Sequence, residues 1–250
     1  MLKTRIIPVL LIKSGYFVKT TNFNNPEYIG DPLNIVKIFN DKKADELTVF
    51  DISTPSNKDK INLQLIENIA SNARMPLCYG GGISNINQVE RLFSIGIEKV
   101  SISKNFFKNC SLLSQISKKF GSQSIAVTLD INIDNENRYF VNNQLDSKKY
   151  QITELIKEIS HLGAGEIIIN CVHKDGTKDG YDQILIDKLY RHATTPMTIV
   201  GGAKSLEDIY ITAGKYPMLG LGVGSLFIYK GRKKAVLINY PKDHTLETEQ

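Results

Sequence analysis

The sequence predicts an α/β protein, a (β/α)8 TIM barrel built from two repeated half-barrels with a last helix that is short or missing, and three observations predict it. Eight short apolar runs recur along the 250 residues, near 5–11, 46–51, 75–79, 98–102, 124–130, 166–171, 196–200 and 218–222. Amphipathic stretches alternate with these runs, several opening on Asn, Asp or Ser and closing on Gly, as helices do. The second half also repeats the first: RIIPVLLI at 5–12 matches SIAVTLDI at 124–131, and Glu46 pairs with Glu166 at the same offset that pairs Gly81 with Gly201. Solenoid units recur every ~20–50 residues, so a repeat this long is a duplicated half-domain.

Taken in order, RIIPVLLI is too short for a membrane span, lacks the small-residue cleavage site of a signal peptide, and reads as the first core strand. A loop over 13–30 leads to the first helix, DPLNIVKIFNDK. ADELTVFDI is followed by NLQLIENIASN, PLCYG by NINQVERLFSIG, KVSIS by SLLSQISKKFG, and SIAVTLDI by ITELIKEISHLG. GEIIINC and PMTIV supply two more strands, and SLEDIYITAGK precedes the eighth. Strict alternation implies right-handed parallel crossovers, and eight of them close into a barrel with the helices outside. A doubly wound open sheet is the alternative, which the twofold repeat disfavours. Residues 1–228 form one domain with half-barrels at about 1–120 and 121–228, while 229–250, with one apolar run, a proline and a polar end, is a tail.

A hydrophobic content of 42% is ample for one full core. The net charge of +5 is dispersed, its densest basic cluster being Arg232, Lys233 and Lys234, and no aromatic-interleaved basic stripe accompanies it, which argues against nucleic acid. Neither the three cysteines nor the four histidines show metal-ligand spacing, so a reducing cytoplasm is expected, with no metal and no cofactor.

In such barrels the C-terminal strand ends form the active face. Each half carries a glycine turn with hydroxyls from the neighbouring strand: Gly80, Gly81 and Gly82 with Ser101 and Ser103, then Gly201 and Gly202 with Gly224 and Ser225. One such turn is explained by chain reversal alone, whereas two at matched positions point to phosphate binding through backbone N–H groups. A ligand with two separated phosphates, or the remnant of such a site, is implied. At the mouth stand Leu11, Asp51, Asp130 and Asp175. Asp130 ends an apolar strand, where burial raises a carboxyl group toward acid or base duty; the bland alternative is capping of loop amides. Asp130 falls opposite Leu11 in the repeat, and Leu11 cannot move a proton. Asp175 lies in a Lys-Asp-Gly-Thr turn, where bonding within the turn is the plain expectation. Cys171 and His173 suggest a thiol and base, with no third group evident to orient the histidine. On the opposite face Arg5, Glu46, Lys99 and Glu166 stand at strand starts, either as a salt-bridge plug or as a polar gate.

Together these residues resemble the HisF family, the cyclase subunit of imidazole glycerol phosphate synthase, over residues 1–228. The motifs that carry the resemblance are RIIPVLLIKSG, VKTTNF, GDP, DELTVFDI, GGGI, KVSIS, FGSQ, GAGEI, DGTKDGYD and GGA. The resemblance implies ammonia entering from a HisH-like glutaminase docked on the N-terminal face, near Asn72, Arg74, Ile97 and Glu98, all exposed by position. It makes Arg5, Glu46, Lys99 and Glu166 the ammonia gate. Its phosphate sites fall on Gly81, Gly82 and Ser103, and on Gly202, Gly224 and Ser225, with Lys104 replacing a small hydroxyl residue. The family's two catalytic aspartates fall on Asp130 and on the position held by Leu11. That departure resembles HisF-like paralogues of surface-polysaccharide gene clusters, which with a glutaminase supply ammonia to a separate enzyme that amidates a sugar. The competing expectations are a working cyclase in which Asp51 or Asp175 substitutes, a phosphosugar isomerase, and a non-conducting scaffold.

Overall fold

The computed structural model describes residues 4–53, 61–142, 151–231 and 233–241. In chain order they form β1 (Ile6–Lys13), β2 (Tyr16–Thr21), β3 (Asn24–Gly30), α1 (Pro32–Asp41), β4 (Leu47–Asp51), α2 (Leu63–Asn72), β5 (Leu77–Gly80), α3 (Ile86–Ser94) and β6 (Lys99–Ile102). There follow α4 (Lys104–Lys108), α5 (Ser111–Phe120), β7 (Ile125–Ile133), β8 (Tyr139–Val141), α6 (Ile152–His161), β9 (Glu166–Cys171), α7 (Gln183–Tyr190) and β10 (Met197–Val200). The chain ends with α8 (Leu206–Lys215), β11 (Gly220–Val223), α9 (Ser225–Ile228), β12 (Tyr229–Lys230) and β13 (Ala235–Val236).

The parallel strands run β1, β4, β5, β6, β7, β9, β10, β11, and β11 pairs back to β1 with Ile7 opposite Gly222, which closes the barrel. Two apolar layers result. Val9, Cys78, Ala126, Ile168 and Val200 meet inside the barrel, with Phe50 against them. The alternate residues pack outward on helix stripes such as Ile35, Val36 and Phe39 of α1 and Leu155, Ile156 and Ile159 of α6. Each such side chain contributes about 1.5–3 kcal/mol of burial. Polar residues set the helix starts: Asp31 accepts from Asn34 N at 3.1 Å, and Asn85 and Gln88 cap α3 reciprocally. Closure needs the glycines of β11, since a Cβ on Gly222 would lie 2.6 Å from Val200 Cγ2. No helix among the described residues is long and apolar enough to cross a membrane.

Two departures bear on the site. The expected loop over 13–30 is an antiparallel hairpin, β2–β3, which extends β1 at the mouth with Leu11 opposite Val18. The eighth helix, α9, is short as expected, with four residues, and the departure is that the tail takes up the packing it leaves open. Leu237 N donates to Ile228 O at 2.9 Å and Asn239 N to Phe227 O at 2.8 Å, which bring Tyr240 into the core at 1% exposure. Its ring packs edgewise on Phe227 and Phe39, while its hydroxyl donates to Ile6 O at 2.9 Å and accepts from Asp45 N at 3.1 Å. The tail is thus tied to the barrel through Leu237, Asn239 and Tyr240; Arg232 and residues 242–250, His244 included, lie outside the described residues. Tyr240→Phe leaves two backbone groups without this hydroxyl and is expected to cost about 1–3 kcal/mol. A urea midpoint equal to that of the wild type would show that the hydroxyl contributes nothing.

Candidate functional site

The starts of the strands bring four charges into one ring on the barrel floor. Arg5 donates to Glu46 at 2.6 Å and to Glu166 at 2.8 Å, and Lys99 donates to the same two carboxylates at 2.9 and 2.6 Å. Each cation bridges both anions, so no carboxylate depends on one partner. Thr198 Oγ1 also donates to Glu166. Burial alone would raise the carboxyl of Glu166, but Lys99 and Arg5 outweigh it and hold the group at about 2. Directly above, burial pushes the Cys78 thiol well up, so it remains a neutral wall residue. Ser101 lies beside the glycine turn as expected, in register with Gly80, and its hydroxyl shares a 2.6 Å hydrogen bond with Thr128. That contact lies inside the barrel, because Thr128 is on the same face of β7 as Ala126.

At the far end, Asp130 and Leu11 face one another. β1 and β7 stand four places apart in a ring of eight strands, hence on opposite sides of the mouth. Burial raises the Asp130 carboxyl to about 6, against the opposing effects of the Asn170 hydrogen bond and the Lys104 charge. Asn170 Nδ2 donates to Asp130 Oδ1 at 3.2 Å and itself walls the mouth pocket, so the acid sits one hydrogen bond from that pocket. Lys104, expected in a phosphate loop, therefore also acts on Asp130.

The pocket has an apolar side of Val9, Leu11, Phe50 and Val200 and a polar side that includes Asn170, Asp175, Gly202, Gly224 and Ser225. The second glycine turn is built for close approach: Gly202 holds φ +97, and a Cβ there would lie 2.3 Å from Gly180 O. Gly81, Gly82 and Ser103 do not wall this pocket. They occupy the other half of the rim, where Gly81 packs on Asp51 and Ser103 precedes α4. Asp51 Oδ1 accepts from Ser53 N at 2.8 Å.

Sequence reasoning missed Lys19. On β2 it is buried, its Nζ donates to Val9 O at 2.8 Å, and a Cβ on Gly224 would lie 2.4 Å from that Nζ. Burial lowers its pKa to about 8, opposed by Asp175. The group thus holds a proton at pH 7 with weakened solvation, ready to receive an anion beside Gly224 and Ser225. YFVKTT shows no alternation, its four central residues all being buried, so no local pattern marks Lys19. Asp175 also differs from expectation. Rather than bonding within its own turn, its Oδ2 accepts from Thr20 Oγ1 at 2.6 Å and from Phe23 N at 3.1 Å, strapping the hairpin to the β9–α7 loop.

The thiol and base reading is corrected. His173 does have an orienting group, since its Nε2 lies 2.8 Å from Asp182 Oδ2, and Tyr139 donates to the same carboxylate. Cys171, however, faces the outer apolar layer at 0% exposure, and burial pushes its thiol far from ionisation. On the floor loops Arg74 and Glu98 are exposed and Asn72 is half-buried, but Ile97 is buried at 4% because it packs into the core.

The chain matches the family described as "Histidine biosynthesis protein" over residues 5–233. A protein of Leptospira borgpetersenii is 43% identical over 96% of each chain. One of Vibrio vulnificus is 43% identical over 96% of this chain and 94% of its own. One of Pseudomonas aeruginosa is 36% identical over 99% of both. All three carry the name "Putative imidazole glycerol phosphate synthase subunit", ending in HisF, hisF3 and hisF2 respectively. With a closed barrel, a charged floor and a glycine-rich mouth in the matched order, the chain belongs to the HisF family of histidine biosynthesis proteins.

Proposed function

We propose that this chain is the synthase subunit of a glutamine amidotransferase complex. It receives ammonia from a HisH-like glutaminase docked on the N-terminal face and passes it through the barrel to a phosphorylated acceptor at the mouth. The product serves amidation of a sugar in surface-polysaccharide synthesis, in concert with a separate sugar amidotransferase in the cytoplasm. No cofactor or metal enters this scheme. The observation that carries it is the complete Arg5–Glu46–Lys99–Glu166 ring beneath a mouth where Leu11 faces Asp130. A floor of four mutually paired charges carries a desolvation cost that a role in passage or docking accounts for, whereas an isomerase has no need of it. The mouth supports phosphate binding through Gly202, Gly224 and Ser225, joined by Lys19, with Gly81, Gly82 and Ser103 on the other half of the rim.

The relatives' names favour a second reading, a working cyclase of histidine biosynthesis. Asp175 is its best substitute acid, because it walls the same pocket as Leu11, while Asp51 packs beside Gly81. Purified chain should stimulate the glutaminase of its complex without closing an imidazole ring from the histidine-pathway ribonucleotide. Ring closure at ordinary rates would instead make it a histidine enzyme. Lys99→Ala and Glu46→Ala are each expected to release ammonia to bulk solvent, measured as glutamine hydrolysed in excess of acceptor amidated. If both variants retain tight coupling, nothing is conducted and the chain is a scaffold.

A further inference from the structure

Beside the mouth pocket lies a second cavity, between the β2–β3 hairpin and the β12–β13 hairpin, whose own walls include Glu27, Thr177, Tyr229 and Lys234. It shares Lys19, Lys178 and Ser225 with the mouth pocket, so the two spaces adjoin. Three ammonium groups face one carboxylate here, and that carboxylate, Glu27, already accepts from the Tyr229 hydroxyl at 3.1 Å. Among the described residues neither Lys178 nor Lys234 forms an ion pair. The Lys178 Nζ lies 5.7 Å from the Tyr229 ring centre and 3.4 Å from Tyr229 O, with only neutral partners. Burial, together with the neighbouring charge of Lys234, depresses the Lys178 ammonium below its ordinary value. Both lysines hold left-handed backbones, at φ 59 and φ 50, which is uncommon away from glycine and fixes where their side chains begin.

We propose that this cavity is a second anion subsite, and that the ligand of the mouth carries two linked phosphates, one against Gly202, Gly224 and Ser225 and the next between Lys178 and Lys234. The inference rests on the phosphate-binding mouth of the proposed function and adds the ligand's class, a diphosphate-bearing sugar. Lys19, Lys178 and Ser225 line both spaces, so a single ligand with linked phosphates can bridge them on one half of the rim.

The test is titration calorimetry of the full chain with inorganic phosphate and with pyrophosphate. Pyrophosphate is expected to bind about ten- to a hundredfold tighter, the worth of an added charged hydrogen-bond set. Lys234→Gln and Lys178→Gln should each reduce that preference, and Lys234→Gln should lower phosphate affinity less than pyrophosphate affinity, because Lys234 walls only the second cavity. A preference that survives in both variants would reflect general charge and overturn the subsite. Equal binding of the two anions by the wild type would overturn it while leaving the mouth site standing. Binding of neither would overturn the mouth reading as well.

Discussion

Leu11→Asp is expected to raise ring closure of the histidine-pathway ribonucleotide, with ammonium salt as the nitrogen source, by about 10²- to 10⁴-fold over the wild type. The change restores a carboxylate on the side of the mouth opposite Asp130, and acid–base work on a bound sugar needs groups on both sides of the reacting atoms. The site tolerates it sterically, since Leu11 is half-buried on an open pocket wall that also holds Lys19. Ammonium salt removes the glutaminase from the assay, so the readout concerns the mouth alone. The gained activity should inflect near pH 6, where the Asp130 carboxyl titrates, and Asp130→Asn in the same background should remove both the inflection and the gain. A wild type that already matches the variant would show that Leu11 is no impediment.

Glu166→Ala is expected to destabilise the fold by about 1.5–3 kcal/mol, because it removes the charged hydrogen bonds of Arg5, Lys99 and Thr198 to this group and leaves both cations to share Glu46. The pH dependence has a definite sign. The folded-state pKa of Glu166 is depressed from the ordinary 4.5 to about 2, so the folded protein gains stability from ionising this group. That stability is complete above about pH 4.5 and is lost as the pH falls toward 2. The gap between wild type and Glu166→Ala in denaturant titrations should therefore be widest near neutrality and shrink below pH 4.5. A gap that does not change between pH 7 and pH 3 would mean that the ring stabilises through packing and not through charge. Lys99→Ala should be milder, because Arg5 continues to pair both glutamates.

The two experiments probe opposite ends of one barrel, and the ends differ in how far they could be read from the chain. The floor ring was legible because Arg5 and Glu46 immediately precede β1 and β4 while Lys99 and Glu166 begin β6 and β9, so all four fall at one end of a parallel barrel. The mouth was less legible. The lone Asp130 and its matched Leu11 follow from the repeat, but Asn170, which couples Asp130 to the pocket, shows no motif. Lys19 escaped notice because its chemistry depends on Val9 O and on the missing Cβ of Gly224, about two hundred residues away in sequence. Ser101 stands beside Gly80 as the glycine turn implies, but its hydroxyl bonds Thr128, because period-two alternation points it to the interior face of the barrel.

The eight alternating units, the duplication, the charged floor and the pairing of Asp130 with Leu11 are legible in the sequence, because strand and helix periodicity and residue chemistry are local properties that survive without coordinates. Only the tertiary structure decided that residues 16–30 form a hairpin strapped to Asp175 by Thr20, and that Tyr240 enters the core left open by a four-residue helix. It also decided that Cys171 faces the apolar layer while Asn170, its neighbour, faces the mouth. In each case the physical reason is a long-range contact: the energy lies in desolvation and in hydrogen bonds between segments far apart in the chain, and no local pattern encodes either.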